Sequence, residues 1–268
     1  MTDQELNKDW IAHAKNGAIE ASKAIMQIYA SDFQVEHKSD ASPVTIADKT
    51  SSKILLEHLS KTGHPIISEE ETVPAYKERK DAPYIWIIDP LDGTKEFIKK
   101  NGEFCICIAL VHNHKSIFGL LASPTQETII MGGPGLGAYH YSFDTKDIWD
   151  SSNKLTPVVP NPTITIAHSR SHFSDKTKAI IAKIDSEHGS PAYLKKGSAL
   201  KFMDLTLGKA DIYPRMAPTM EWDIAAGQAI YEAVGGEVLD FTNFEPLQYN
   251  KADLYNPFFI AKHKDLKI

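Results

Sequence analysis

The chain has 268 residues, of which 42% are hydrophobic and 24% charged, proportions that exclude a disordered, collagen-like or coiled-coil polypeptide and suit one large or two modest domains. Its 29 lysines and arginines against 35 aspartates and glutamates give a formal net charge of −6. That balance disfavours a nucleic acid polymer or an anionic membrane surface as partner, since both want clustered positive charge, and it admits a small anionic ligand only where something reverses the sign locally.

The opening residues, Met1 to Glu5, lack the basic and apolar regions of a secretory signal. No stretch approaches the roughly 18 apolar residues of a transmembrane helix, so a cytoplasmic protein is expected. From Gln4 to Tyr29, Leu6, Trp10, Ala14, Gly17, Ala21, Ile25 and Ile28 recur at three- and four-residue spacing, which predicts a helix with one buried face. Its polar face mixes Asp3, Glu5, Asp9 and Glu20 with lysines, against a membrane-surface role. A second helix is predicted at about Lys49 to Lys61, with Asp48 at its start, where capping is the ordinary role of an acid.

Apolar runs with strand character follow at Pro65–Ile67, Tyr84–Ile88, Phe104–Val111, Ile117–Ala122, Thr128–Met131 and Ala138–Tyr141. Turn residues at His112–Lys115 and Gly132–Gly137 make an antiparallel meander the economical reading. Cys105 and Cys107 sit one residue apart in such a run; a disulfide closing so short an extended loop is geometrically implausible, and partners for a zinc site are not evident. Around Trp149 to Pro162 the composition shifts to Ser, Asn, Thr and Pro, as in a connection between subdomains. Beyond it, strands at Thr163–Ala167, Asp211–Tyr213 and Val238–Phe241 alternate with helices at Ser174–Asp185, Ser198–Leu207 and Asp223–Val234. The expectation is an α+β subdomain over 1–155 and an α/β subdomain over 156–268.

The chemistry-bearing segment is Ile85-Trp86-Ile87-Ile88-Asp89-Pro90-Leu91-Asp92-Gly93-Thr94. A buried strand delivers Asp89, Pro90 forces a turn, and the turn brings Asp92 back beside Asp89. Two carboxylates this close repel each other unless one is protonated or a cation lies between them, and hard divalent cations take such oxygens, with a backbone carbonyl such as that of Leu91 as a further ligand. Amides of Gly93 and Thr94 face an anion if a helix starts there. The alternative is an Asx turn with Asp92 as a helix cap. A second strand, Ile66-Ile67, delivers Glu69, while Glu70 and Glu71 have more freedom to face water. Asp223 opens a helix whose Ala225-Ala226-Gly227 stretch permits close packing; its alternative role is that of an N-terminal acid stabilised by the helix dipole. Gly133-Pro134-Gly135-Leu136-Gly137 lacks the following helix of a dinucleotide loop and reads as a β-turn, and His112 and His114 as a polar hairpin.

Glu69 in Ser-Glu-Glu, Asp-Pro-Leu-Asp-Gly-Thr at 89–94 and Trp-Asp-Ile-Ala-Ala-Gly at 222–227 together resemble the signature of the lithium-sensitive, magnesium-dependent phosphatases of the inositol monophosphatase superfamily. Within it the chain is most similar to 3'(2'),5'-bisphosphate nucleotidases of the bacterial CysQ type, from about Ala14 to Phe259. The resemblance implies a layered αβαβα sandwich and hydrolysis of adenosine 3',5'-bisphosphate to AMP and phosphate, in a setting of sulfur metabolism. It implies two or three Mg2+ ions, one held by Glu69, Asp89 and the Leu91 carbonyl and a second by Asp89, Asp92 and Asp223. Thr94 and Asp48 would orient and help deprotonate the attacking water, with the amides of Gly93 and Thr94 on the scissile phosphate. Ser198 and Lys201 in Gly197-Ser198-Ala199-Leu200-Lys201, and Arg215 in Tyr213-Pro214-Arg215, would grip the phosphate that is not cleaved, and His172 would approach the nucleotide. Taken alone, Lys201 reads as part of a solvated helix face. The resemblance leaves oligomeric state open and is compatible with peripheral association at the cytoplasmic face of the inner membrane.

The charge balance divides unevenly. Residues 1–155 hold 16 basic and 22 acidic side chains, and 156–268 hold 13 of each. The whole imbalance lies in the half that supplies Asp48, Glu69, Asp89 and Asp92, and bound divalent cations are the local reversal of sign that an anionic substrate requires.

Overall fold

Asn7 accepts a hydrogen bond from the Asp9 amide at 2.8 Å and so caps α1 (Lys8–Tyr29), which buries Ile11, Ala14, Ala18, Ala21 and Ile25. In the computed structural model, which describes residues 6–38, 43–169 and 175–267, a short antiparallel arm of β1 (Val35–His37) and β2 (Pro43–Thr45) follows. It leads directly into α2 (Ile46–Ser60). Then come β3 (Ile66–Ser68), α3 (Tyr76–Arg79), β4 (Tyr84–Asp92), α4 (Thr94–Ile98), β5 (Cys105–His112), β6 (Lys115–Ser123), β7 (Thr128–Gly133) and β8 (Gly137–Ser142). The second half contains β9 (Thr165–His168), α5 (Asp175–His188), β10 (Ala192–Lys195), α6 (Leu200–Thr206), β11 (Ile212–Arg215), α7 (Glu221–Glu232), β12 (Gly236–Asp240) and β13 (Phe259–His263).

Six strands, in the order β3-β4-β5-β6-β7-β8, make one sheet, and five, in the order β10-β9-β11-β13-β12, make another. The meander is antiparallel from β4 to β8, as its turn residues require. Its first strand departs from expectation. β3 runs parallel to β4, because the segment between them, α3 included, is long enough to cross over instead of turning back. The hairpin turns at 113–114 and 134–136 fall where the glycine, asparagine and histidine residues predict.

Alternation along the strands sorts side chains between two layers. Trp86, Ile88, Ile106, Ile108 and Leu110 pack toward α1 and α2, whereas Ile85, Ile87, Cys105, Cys107, Ala109 and Val111 pack toward α6 and α7. The same central core continues into Ala167, Tyr213, Phe259 and Ala261 of the five-stranded sheet, and the far face of that sheet is covered by Ile180, Ile181 and Ile184 of α5. The layers are therefore α1/α2, sheet, α6/α7, sheet, α5, the αβαβα sandwich expected. Two central helices touch closely because Gly227 of α7 has no side chain: a Cβ there would lie 2.3 Å from the Phe202 ring of α6.

Candidate active site

Asp89 continues the face of Ile85 and Ile87, so it points toward the layer of α6 and α7. Asp92, three residues on, would point the other way in a regular strand. The pairing shifts here: Asp89 is opposite Cys107 and Asp92 opposite Cys105, so three residues of β4 are matched to two of β5. The extra residue is a β-bulge that returns Asp92 to the face of Asp89. It replaces the simple turn expected at Pro90. Ser51 of α2 fixes the bulge by donating to the Pro90 carbonyl at 2.6 Å, and Asp89 Oδ1 accepts from the Leu91 amide at 2.9 Å. Gly93 then turns the chain with φ +103°, where a Cβ would meet the Glu103 carbonyl oxygen at 2.9 Å. Only glycine fits this joint between strand and helix.

Parallel pairing of β3 sets Ser68 opposite Ile88, which carries the next residue, Glu69, to the level of Asp89. Asp223 arrives from the first turn of α7, where its Oδ2 accepts from the Met220 amide at 2.8 Å. Its capping role and its place in the site coexist. Carboxylate oxygens of Glu69, Asp89 and Asp223 lie within 4.8 Å of one another. Burial, then the negative charges of Glu69, Asp92 and Asp223, push Asp89 well above the ordinary carboxylate range. Burial and the charge of Asp92 raise Asp223 to about 8. An all-oxygen cluster in which Asp89 and Asp223 resist ionisation until a positive charge arrives is the donor set of a hard divalent cation.

Asp48 sits at the third position of α2 in a capping box. Its Oδ2 accepts from the Thr45 amide and hydroxyl, both at 2.7 Å, and its Oδ1 accepts from the Thr94 hydroxyl at 2.8 Å. One oxygen thus caps the helix while the other holds Thr94. Burial raises the pKa of Asp48 against these three hydrogen bonds.

Asp92 interacts by charge with Glu69, Asp89 and Asp223 and has further partners of its own. It accepts a short hydrogen bond from the Ala199 amide, its pKa is lifted to about 6, by burial in the first place and against the attraction of Lys201, with the charge of Glu69 adding to the rise, and it also groups with Cys105 and Cys107. Both cysteines are free and buried. The sequence gives no sign of a third ligand near them, because Asp92 is brought there only by cross-strand register and the bulge.

The site also has a cationic part. Lys201 is only 3% exposed, which corrects its expected place on a solvated helix face: α6 is buried on all sides. Its ammonium donates to the Ser198 carbonyl and lies 5.0 Å over the Tyr213 ring. Arg215 ends β11, with Nε buried and without a hydrogen-bond partner. Glu69, Asp89, Asp92, Thr94, Asp223, Ser198, Lys201 and Arg215 all border one cavity of about 240 Å³. Among the described residues its charged lining is five carboxylates, Glu96 included, and three cations, Lys95 included. His172 lies outside the described residues.

Sequence reasoning missed Lys38, which bonds Glu69 at 2.9 Å and Glu70 at 2.6 Å. Burial works against its charge, yet the two glutamates hold its pKa above the ordinary lysine value. The pair also corrects the expected freedom of Glu70, whose side chain is 9% exposed against 28% for Glu69. No local pattern marks Lys38; the contact exists only because the β1–β2 arm folds over the end of β3.

The profile of the inositol monophosphatase family matches residues 6–262. The chain belongs to this family. A 3'(2'),5'-bisphosphate nucleotidase CysQ of Escherichia coli (strain K12) is 35% identical over 89% of the chain and 94% of that protein, and its counterpart in Salmonella typhimurium is 36% identical over the same shares. The crystal structure of CysQ from Bacteroides thetaiotaomicron, described as a bacterial member of the inositol monophosphatase family, has 36% identity, covers 98% of this chain and 100% of its own, and superposes with a TM-score of 0.86. Structures such as Staphylococcus aureus inositol monophosphatase II with bound 2'-AMP, at 20% identity and a TM-score of 0.76, share the fold. Within this family member the motif residues at 69, 89, 91–94 and 223 converge on one cavity from three separate segments, and no helix among the described residues is long and apolar enough to cross a membrane.

Proposed function

We propose that the chain is a divalent-cation-dependent 3'(2'),5'-bisphosphate nucleotidase that hydrolyses adenosine 3',5'-bisphosphate to AMP and phosphate. The observation that carries this reading is a cavity lined both by an oxygen cluster and by Lys201 with the unpartnered Arg215 Nε. A substrate with two phosphates satisfies both sets of residues; one with a single phosphate leaves Arg215 Nε without a partner, at the cost of a buried unsatisfied donor.

Glu69, Asp89, the Leu91 carbonyl, Asp92 and Asp223 would hold Mg2+, two or three ions. When bound, such ions lower the pKa of water and neutralise charge on the phosphate, the two difficulties of a reaction that needs accelerations up to roughly 10²¹. The chain's own residues do the rest. Thr94 donates its hydroxyl proton to Asp48 at 2.8 Å, which leaves the Thr94 oxygen as acceptor for a proton of the attacking water. Asp48, buried and raised in pKa, is the base that receives the proton through that hydroxyl. Amides of Gly93 and Thr94 position the scissile phosphate, Ser198, Lys201 and Arg215 the retained one, and His172 the nucleotide. Inhibition by lithium, a cytoplasmic location and a division into a metal-binding part at 1–155 and a nucleotide-binding part at 156–268 belong to the same proposal.

Phosphate release from adenosine 3',5'-bisphosphate, inositol 1-phosphate and fructose 1,6-bisphosphate under matched Mg2+ tests it. The bisphosphate nucleotide is expected to be the best substrate; preference for the inositol or sugar ester would reassign the chain within its family. Absence of release from all three would make it a binding protein, a role that gives no reason for the Asp48–Thr94 pair.

A further inference from the structure

The proposed hydrolysis makes no use of Cys105 and Cys107, yet their placement is specific. Both project from β5 onto the face of the sheet that carries Asp89 and Asp92, the residues they are registered against. Their sulfurs are 3.9 Å apart. Two thiolates on a tetrahedral zinc ion, each about 2.3 Å from the metal, are separated by about 3.8 Å. A carboxylate oxygen of Asp92 completes a group of three ligand atoms that all lie within 4.8 Å of one another, and Ser198 Oγ, 3.4 Å from Cys105 Sγ, supplies a further oxygen.

We propose that Asp92, Cys105 and Cys107 form a second metal site, for a soft or borderline divalent ion such as Zn2+ or Cd2+, directly beneath the oxygen cluster. Thiolates select such ions over Mg2+, whereas the carboxylates of Glu69, Asp89 and Asp223 suit the hard ion. Backbone pairing on both sides of β5 holds the two sulfurs at this spacing, so little reorganisation accompanies binding. Capture of one M2+ displaces two thiol protons to solvent, forms two metal–sulfur bonds and one metal–oxygen bond, and changes no oxidation state. Because Asp92 borders the cavity, it is the ligand through which the ion enters. Engagement of Asp92 by the soft ion draws its carboxylate toward the thiols and inhibits the Mg2+-loaded protein. The inference goes beyond the nucleotidase reading, and its main readout requires no substrate.

The test titrates the full-length chain, in saturating Mg2+, with Cd2+. Expected are a sulfur-to-cadmium charge-transfer absorption in the ultraviolet that saturates at one ion per chain, and release of two protons. In C105A/C107A the absorption is expected to vanish and inhibition by Cd2+ or Zn2+ to require at least about tenfold more ion, as for loss of metal-site groups, with the Mg2+ requirement unchanged. Wild-type protein that binds Cd2+ without the absorption, or inhibition curves that coincide for wild type and variant, would overturn the site and place the soft ions in the oxygen cluster. Should the variant not fold, absorption and proton release in the wild-type chain decide alone.

Discussion

The cavity's acidic wall is Glu69, Asp89 and Asp223, which stand at a strand end, beside a bulge and in a helix's first turn; its cationic wall is Lys201, inside a buried helix, and Arg215, at the end of a central strand. Asp89 and Asp223 accept from backbone amides of their own segments and Glu69 pairs with Lys38, and the acids repel one another. Lys201 bonds carbonyls and Arg215 is left with an unpartnered donor, so their charge is committed to no partner with a full negative charge in hydrogen-bond contact. One wall therefore waits for cations and the other for an anion. The net charge of −6 records the first wall and hides the second, because the cations are balanced elsewhere in their half of the chain.

The difference can be broken most severely at the acidic wall. Asp89→Asn removes the residue common to the whole cluster and is expected to lower kcat/KM on the order of 10⁴-fold or more, equivalent to the several kcal/mol a bound ion supplies. Phosphate release measures the loss, and calorimetric Mg2+ titration should show the accompanying loss of binding. Thr94→Ala or Asp48→Asn should leave Mg2+ affinity and KM near wild type while kcat falls by about 10²–10⁴-fold; an equal loss of Mg2+ binding would mean that the pair only supports the cluster. At the cationic wall, Arg215→Ala is expected to raise KM for the bisphosphate by roughly 10- to 100-fold, the range of a charge-assisted hydrogen bond. Substrates with one phosphate should be spared, and equal losses on both would make Arg215 structural.

The smallest effect sharpens the comparison through pH. Asp92 and Asp223, at about 6 and about 8 in the folded protein, sit above the ordinary aspartate value of 3.8. Groups raised on folding favour the folded state below the unfolded pKa, and that contribution is lost as pH rises through the folded one. Metal-free protein should therefore melt several degrees lower at pH 8 than at pH 5. Added Mg2+ should raise Tm more at pH 8 than at pH 5, since only the ionised cluster binds it without releasing protons. A Mg2+ effect independent of pH in thermal melts would show that the acids are ionised without metal.

Much of the acidic wall was legible in the chain. The run Ile85–Ile88 announces a buried strand, Asp48 a helix start, and Ala225-Ala226-Gly227 a close contact that proves to be with Phe202. Helix ends and strand cores follow from local periodicity, capping and backbone preference, each of which is written in neighbouring residues. The parallel placement of β3 was less legible, since Ile66–Ser68 looks the same in either direction and only the length of the crossover decides.

What the sequence by itself determined are the layers, the order of the elements and the identity of the carboxylates, because apolar spacing and short motifs act over a few residues. Tertiary structure decided which of those groups meet. The bulge that turned Asp92 toward Cys105 and Cys107, the burial of Lys201, and the reach of Lys38 to Glu69 and Glu70 all depend on register and packing between segments distant in the chain. A one-residue shift in pairing moves a side chain to the opposite face of a sheet, and no pattern within a single strand encodes that shift.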